Sequence, residues 1–549
     1  MMVASMKSCP EEESIQVVKG NRLNLLSRTI EPVSISIKGN KIVQVLRDSS
    51  WHDYFLLPGF VDAHIHLESS MLLPTAFADE ARKHGTLAVV ADPHEIANVA
   101  GEKGIYELLD LLVTSPIYFA FMAPSCVPAS PWDSSCAVLN SAQVHRLLQD
   151  PRIHGLGEVM NVPGVLQEDP EMMSKIQSAR ILSKPIDGHC PALSGSDLAR
   201  YIQSGIQSDH ECVDAFEARE KISLGMKILI REGSAAKNLD ALLPLMEEYP
   251  QFCMLCTDDL HPDDLCHGHL LPLIRRALKA GVDPFTVFRC STWNPIQHYH
   301  LPLGLLQEGD SADFLLVDSL DKLNLISSWY QGKKHEPENN IQQINTGFSF
   351  PFHAKITEEK DFCVPVSTQA QHIIGIKDHQ LLTDHLTKVL PCSSSEMLPD
   401  PAQDIIRIAL INRYRAEKPV CAWVKGFGLK QGAFASSVAH DSHHILVVGV
   451  DRSDMSTAVN MLIQHQGGLC ASKQNQAQIL PLPVAGLMSL MDARNTAEAY
   501  TQMDQLIRKW GSKLSAPWMT LSFLGLLLIP SLKLGELGLF DGVNYTWLA

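Results

Sequence analysis

Apolar and polar residues alternate between about residues 16 and 56, first in SIQVVKG and then in PVSISIKGNKIVQVLR, with Gly39-Asn40 between two runs. Period-two alternation bounded by turn residues predicts short strands and hairpins, a small β module. From Phe55 the pattern changes. Continuous apolar runs now alternate with stretches of helical periodicity such as VDAFEAREKISLG and NLDALLPLMEEY. The runs cover 55–66, 86–93, 117–125, 153–160, 184–190, 206–211, 226–232 and 252–259. Non-alternating runs suit parallel strands buried on both faces. From His64 to Asp258 is 194 residues over seven repeats, about 28 each. That is the length of a βα unit, and eight units predict a (β/α)8 TIM barrel.

A helical stretch at 271–279 follows, then GDSADFLLVDSL at 309–320, a strand pattern that can return to the N-terminal module. The predicted architecture is an α/β chain with four parts. Residues 1–15 form a flexible tail. Residues 16–56 and about 305–360 build a small β-sandwich module. Residues 57–304 form the barrel, and 361–549 form a C-terminal α/β domain containing the strand runs of 421–451. CSSSEMLPDPAQD, at 392–404, has a linker-like composition.

Composition narrows the function classes. The 549 residues carry 45 Lys+Arg against 61 Asp+Glu, a formal charge of −16. A chain this long exceeds one ordinary core. Its acidic balance disfavours a nucleic-acid binder. Thirteen cysteines are too sparse for a disulfide scaffold and read as reduced thiols. The start, MMVASMKSCPEEES, has no apolar leader run, and the uncharged stretch 514–532 is broken by Pro517 and Pro530. That stretch is expected in a core rather than a membrane. The chain reads as cytoplasmic.

Candidate chemistry gathers at the C-terminal ends of the eight strands, the rim where a TIM barrel builds its site. The first run ends in His64-Ile65-His66, and residues i and i+2 of a strand point the same way. Glu158, His189, His210 and Asp258 lie at the ends of runs four, five, six and eight. Four imidazoles and two carboxylates suit Zn, Mn or Fe. A His-x-His pair alone is weak, since the chain has two more, at 267/269 and 298/300. A lone His189 or His210 is more often a hydrogen-bonded core residue. Recurrence at one level of one repeat is what lifts the reading. Cys253 and Cys256 share a strand, with thiols on opposite faces.

PGFVDAHIHLESSMLLPTAFA, followed by HGTLAVVADPHEIANVAG, resembles the amidohydrolase superfamily and, more narrowly, its adenine deaminase family. GLGEVMN, DGHCPALSGSDLARYI, the stretch 208–239, CTDDLHPDDL, SSVAHDSHHILVVGVD and LPLPVAGLMS carry the resemblance almost to the end of the chain. It implies metal ligation by His64, His66, His189, His210 and Asp258, with Glu158 bridging two divalent ions, Mn most of all. It also implies a homo-oligomer in purine salvage. Three positions depart from the family pattern: Leu260 stands in place of Arg, Cys190 in place of Ala, and His444 in place of Asn.

The implied reaction is attack of a metal-held hydroxide on C6 of adenine, giving hypoxanthine and ammonia, with Asp258 moving the proton. Glu95, at the end of the second strand, is the candidate that protonates the ring. A structural ion pair or helix cap is its bland alternative. His94 is placed to orient the purine or hold an extra metal. Arg231 and Glu232 are candidate substrate contacts, against a reading in which Ser234 caps a helix beside a solvated charge pair. The run Asp441-Ser442-His443-His444 is expected to close over the site, from its own or a neighbouring subunit. The alternatives are another amidohydrolase acting on a cyclic amide, or a non-catalytic paralogue.

Overall fold

The computed structural model describes residues 14–113, 115–335 and 350–548. Most of the predicted tail and residues 336–349 of the predicted β module lie outside them. Strands β1 (Gln16–Asn24), β2 (Thr29–Lys38) and β3 (Lys41–Arg47) form an antiparallel meander. Gly39, with φ +58°, makes the β2–β3 turn, a conformation that costs glycine little. A fourth strand, β4 (Phe55–Pro58), runs parallel to β1.

The first apolar run holds two strands. At Gly59 the chain leaves the small sheet for the barrel, and Leu87 packs so close that a Cβ there would sit inside its side chain. The barrel strands are β5 (Phe60–Ile65), β6 (Thr86–Ala91), β7 (Tyr118–Ala123), β8 (Ile153–Val159), β9 (Ile186–Gly188), β10 (Ser208–Asp209), β11 (Lys227–Arg231) and β12 (Cys253–Cys256). They pair in parallel as one set of five and one of three. Gln207 N donates to Ile186 O at 2.9 Å across one gap. Across the other, Asp258 N donates to His64 O at 2.9 Å and His66 N to Asp258 O at 3.1 Å. The barrel is thus closed by the backbone of its own candidate ligands. β6 is buried throughout, as expected of a strand covered on both faces.

After the barrel, β13 (Phe314–Val317), β14 (Leu325–Tyr330) and β15 (Lys333–His335) return to the first sheet, with β13 antiparallel to β4. The order β15-β14-β13-β4-β1-β2-β3 is one continuous sheet around Ile35, Ile37, Leu56, Phe314 and Trp329. A bridge between Lys41 and Ser311 brings its far edge back.

The C-terminal region is an eight-stranded sheet of order β17-β16-β19-β18-β21-β20-β22-β23. Its strands are β16 (Gln371–Gly375), β17 (Asp384–Lys388), β18 (Ile405–Ile411), β19 (Val420–Lys425), β20 (Ala433–Ser436), β21 (Ile445–Gly449), β22 (Gly468–Lys473) and β23 (Gln476–Pro481). The linker-like segment 392–404 is a loop inside this sheet, joining β17 to β18 and pinned by the buried Met397. One face carries the helix Arg452–Gln464 through Met455, Val459 and Leu462. The other face, with Ile406, Leu410 and Phe434, shares one apolar core with Leu67, Ile96 and Leu265 at the barrel mouth.

A last small sheet, β24 (Leu532–Gly535), β25 (Gly538–Asp541) and β26 (Thr546–Trp547), follows the segment 514–532. That segment is core: Trp518 is buried and its ring meets Phe434 at 4.9 Å. Among the described residues no helix is long and apolar enough to cross a membrane.

Lys533 on β24 is fully buried, with Nζ donating to Leu381 O at 2.8 Å. Burial pulls its ammonium down to about 7. The unfolded chain therefore binds a proton that the native chain does not between about pH 7 and the ordinary lysine value of about 10.4, and stability rises with pH across that window. Lys533→Met is expected to raise the urea midpoint at pH 6.5 clearly more than at pH 9.5. An equal gain at both would contradict a buried charge.

Candidate metal centre and active site

The rim is built from the strand ends upward. Beneath it, Asp62 Oδ1 accepts from Thr257 N at 3.1 Å and His64 N at 3.3 Å, joining the first and eighth strands. His269 lies between Asp62 and Thr86 at 2.8 and 2.7 Å, so it is a core residue of this support. On the rim, the Nε2 atoms of His64 and His66 stand 3.2 Å apart. Asp258 has a left-handed backbone, φ +58°, which aspartate tolerates better than most residues. Its Oδ1 lies 3.4 Å from His64 Nε2 and 3.1 Å from His66 Nε2, while Oδ2 accepts from Arg231 at 2.6 Å.

Glu158 stands between two imidazole pairs. Oε1 is 3.2 Å from His66 Nε2 and 3.9 Å from His64 Nε2. Oε2 is 2.7 Å from His189 Nδ1 and 3.3 Å from His210 Nε2. Asp92 fixes this strand end by accepting from Glu158 N at 2.9 Å. A Cβ at Gly157 would occupy the place of the Asp92 carboxylate. The strand ends carrying His189 and His210 are held by Asp209, which accepts from Cys190 N at 2.8 Å and from Lys221 Nζ at 2.9 Å. The structure therefore brings together His64, His66, Glu158, His189, His210 and Asp258.

Their electrostatics call for positive charge. Burial alone would raise the Glu158 carboxyl, but His189 and His210 outweigh it and hold it well below the usual range. Burial likewise works against ionised Asp258, yet Arg231 and then His64 and His66 keep it well below. Burial pulls His66 down, and Asp258 and Glu158 push it well above its ordinary value. Protons on the imidazoles are one source of that charge; a cation is the other. His66 Nδ1 lies 3.0 Å from Asp92 O. A proton on Nδ1 leaves the Nε2 lone pair free to ligate, the usual support for a metal-bound histidine. His64 Nδ1 is buried without a partner. The sets His64/His66/Glu158, Glu158/His189/His210 and His64/His210/Asp258 each bring their ligand atoms within 4.8 Å of one another. Nitrogen and oxygen donors without thiolate fit a divalent ion.

Glu95 stands beside this cluster. It is fully buried in the first turn of the helix His94–Asp110, and its Oε1 meets His440 Nδ1 while Oε2 meets His443 Nε2 at 2.5 Å. The run at 440–444 thus enters the mouth from the same chain. His94 Nδ1 lies 3.4 Å from Glu158 Oε1, and its Nε2 lies 3.8 Å from Asp441 Oδ2. His444 is set back against Glu536 at 3.2 Å and Ser134 at 3.2 Å.

Arg231 pairs in the buried rim with Glu211 and Asp258, which removes the solvated-pair reading. Glu232 is turned away: its carboxylate takes Arg276 and the Leu239 N. Ser234 does not cap the next helix, Leu239–Glu248; its Oγ accepts from His261 N at 2.9 Å and donates to Asp264 at 2.5 Å, at the start of the helix Pro262–His267. Sequence reasoning passed over Asp92, Glu211 and His440. The first two lie inside the motifs DPHEI and SDHE and were visible as acids at strand ends. His440 lies inside SSVAHDSHHILVVGVD, directly before the run 441–444, and no local pattern told it apart from its neighbours.

Residues 55–349 match the family model described as Amidohydrolase family, and 380–546 match Adenine deaminase C-terminal domain. A curated relative named "Adenine deaminase" from Salinibacter ruber is 43% identical, covering 97% of this chain and 98% of that protein. One of the same name from Sulfurovum sp. is 44% identical, covering 97% and 99%. A third, from Methanosarcina mazei, is 42% identical, covering 96% and 98%.

Metal-stripped protein titrated with Mn²⁺ is expected to gain stability, about 2.7 kcal/mol at one hundred times the dissociation constant. Glu158→Gln should lose most of that gain, because the shared anion is gone. An undiminished rise in thermal midpoint in the variant would contradict ligation by Glu158.

Proposed function

The chain belongs to the adenine deaminase family, and on that premise we propose that it hydrolyses adenine to hypoxanthine and ammonia. The observation that carries the reading is the Glu158 carboxylate, shared between the His64/His66 and His189/His210 pairs beside an ionised Asp258. We read His64, His66, Glu158, His189, His210 and Asp258 as holding two divalent ions. Held there, such ions would supply the Lewis acidity that makes a water-derived nucleophile available near pH 7.

The remaining steps belong to the protein. Water's oxygen bonds to C6 and the C6–N bond to the amine breaks. One of water's protons ends on a ring nitrogen; the other leaves on ammonia. We assign Asp258 to take the proton of the first O–H bond to break, its Oδ2 being fixed by Arg231 and its Oδ1 facing His64 and His66. It accepts that proton and returns it to the departing amine, as a group on the reacting axis can. Glu95 carries the ring proton. His94, between Glu158 and Asp441, lies along one wall to orient the purine. Arg231 acts through Asp258, since its guanidinium is already engaged. Closure of the mouth by the C-terminal region keeps these groups away from bulk water, which strengthens their fields.

Manganese as the native metal, a place in purine salvage, a cytoplasmic location and a homo-oligomeric assembly complete the reading, on the strength of the family likeness. The twelve described cysteines are free thiols, as a reducing compartment would keep them.

The test is ammonia release with Mn²⁺ from adenine, set beside adenosine, guanine, cytosine and dihydroorotate. Adenine alone is expected to react, with one hypoxanthine per ammonia. Asp258→Asn should lower kcat by ~100-fold or more, the range of general acid–base catalysis. Inert adenine with a metal-loaded enzyme would end the proposal.

A further inference from the structure

The C-terminal region does more at the mouth than cover it. Glu95 lies in the first turn of the helix after β6, and both its oxygens are taken by imidazoles from about 345 residues later in the chain, on the connection between β20 and β21. Ala439 N donates to His443 Nδ1 at 3.1 Å. That nitrogen is therefore the acceptor, and the proton of a neutral His443 is on Nε2, aimed at Glu95 Oε2. Burial pulls His443 down to about 4, which keeps it neutral. His440 has Nδ1 against Glu95 Oε1 and Nε2 3.8 Å from Asp259 Oδ1, with its ring flat on Phe523 at 4.4 Å and 16°. A carboxylate flanks the imidazole on each side, so both of its nitrogens face acceptors. Asp259 in turn accepts from Ser69 Oγ at 2.5 Å. The ring of His440 thus spans the second and eighth strand ends.

We propose that His440 and His443 are positioning residues for Glu95, donating one hydrogen bond to each carboxylate oxygen and so setting the angle at which it meets the purine ring. The proposal rests on the reading of Glu95 as the ring-proton carrier. With a donor on each oxygen, resting Glu95 is an ionised acceptor. The proton that it delivers is then one taken from water during turnover, and none is stored on it beforehand. Asp258 handles the water proton that leaves on ammonia; the other water proton passes to Glu95 and on to the ring nitrogen, and the carboxylate returns to its two donors. Asp441, next to His440, faces His94 at 3.8 Å, so the same loop also lines the wall where the purine would lie.

The test uses the full-length enzyme loaded with Mn²⁺. His440→Ala and His443→Ala should each lower kcat by ~100-fold, the low end of an acid–base contribution, with KM for adenine and metal content little changed. That split marks loss of an interaction made at the reacting step. Asparagine places a donor where Nδ1 was, and glutamine where Nε2 was. H440N and H443Q should therefore recover much of the lost kcat. Where an alanine variant does not fold, H440L and H443L give the donor-free comparison. In the double variant, H440A should cost E95Q nothing further, since the two act as one unit.

Wild-type kcat in folded H440A or H443A, or Asn and Gln no better than the donor-free variants, would overturn the positioning role while leaving the deaminase reading in place. Unchanged kcat in E95Q would overturn the role of Glu95 itself, and the proposal with it. Wild-type enzyme inert on adenine would instead strike the function on which both rest.

Discussion

A single carboxylate with almost no access to water, Glu158, stands between four imidazoles, and the surrounding structure is organised around the positive charge that it demands. A buried anion is tolerated only when paired and hydrogen-bonded. Here the pairing is arranged from both sides of the barrel. The His64/His66 pair comes from the seam where the first and eighth strands meet, and the His189/His210 pair from the gap between the five-stranded and three-stranded sets. Asp62 under the first pair and Asp209 under the second hold those ends with backbone and side-chain hydrogen bonds. Both supports are themselves buried acidic side chains with hydrogen-bond partners, so the site is braced by the same device that it uses.

The seam explains why the fold and the chemistry cannot be separated. Asp258 closes the barrel through its backbone and faces the imidazoles through its side chain. Its left-handed backbone turns the carboxylate inward at the point where strand geometry ends. Arg231, one strand over, then fixes the carboxylate's other oxygen. The C-terminal sheet completes the enclosure, and its inner face is continuous with the core at the barrel mouth.

Much of this was legible in the sequence. The eight strands follow from apolar runs, because parallel strands buried on both sides leave no room for alternation. The pairing of His64 with His66 follows from the two-residue period of a strand. Local rules failed where partners are far apart. The Glu95–His440–His443 grip joins positions separated by about 345 residues and depends on how the C-terminal sheet docks, which no period encodes. The same holds for Arg231, whose charge looks solvated in sequence and is neutralised by Glu211 and Asp258 in the fold. The split of the first run at Gly59 shows only in the pairing, where β4 and β5 belong to different sheets. The segment 392–404 has the polar composition of a linker because a surface loop needs the same residues; only the strand pairing on either side tells them apart.

The most direct measurement is anomalous diffraction at the manganese edge from crystals grown with Mn²⁺. Two peaks are expected, one on each side of the Glu158 carboxylate, the first against His64 and His66 and the second against His189 and His210. A lone peak that leaves one imidazole pair empty, or peaks remote from Glu158, would contradict the shared carboxylate on which everything else turns.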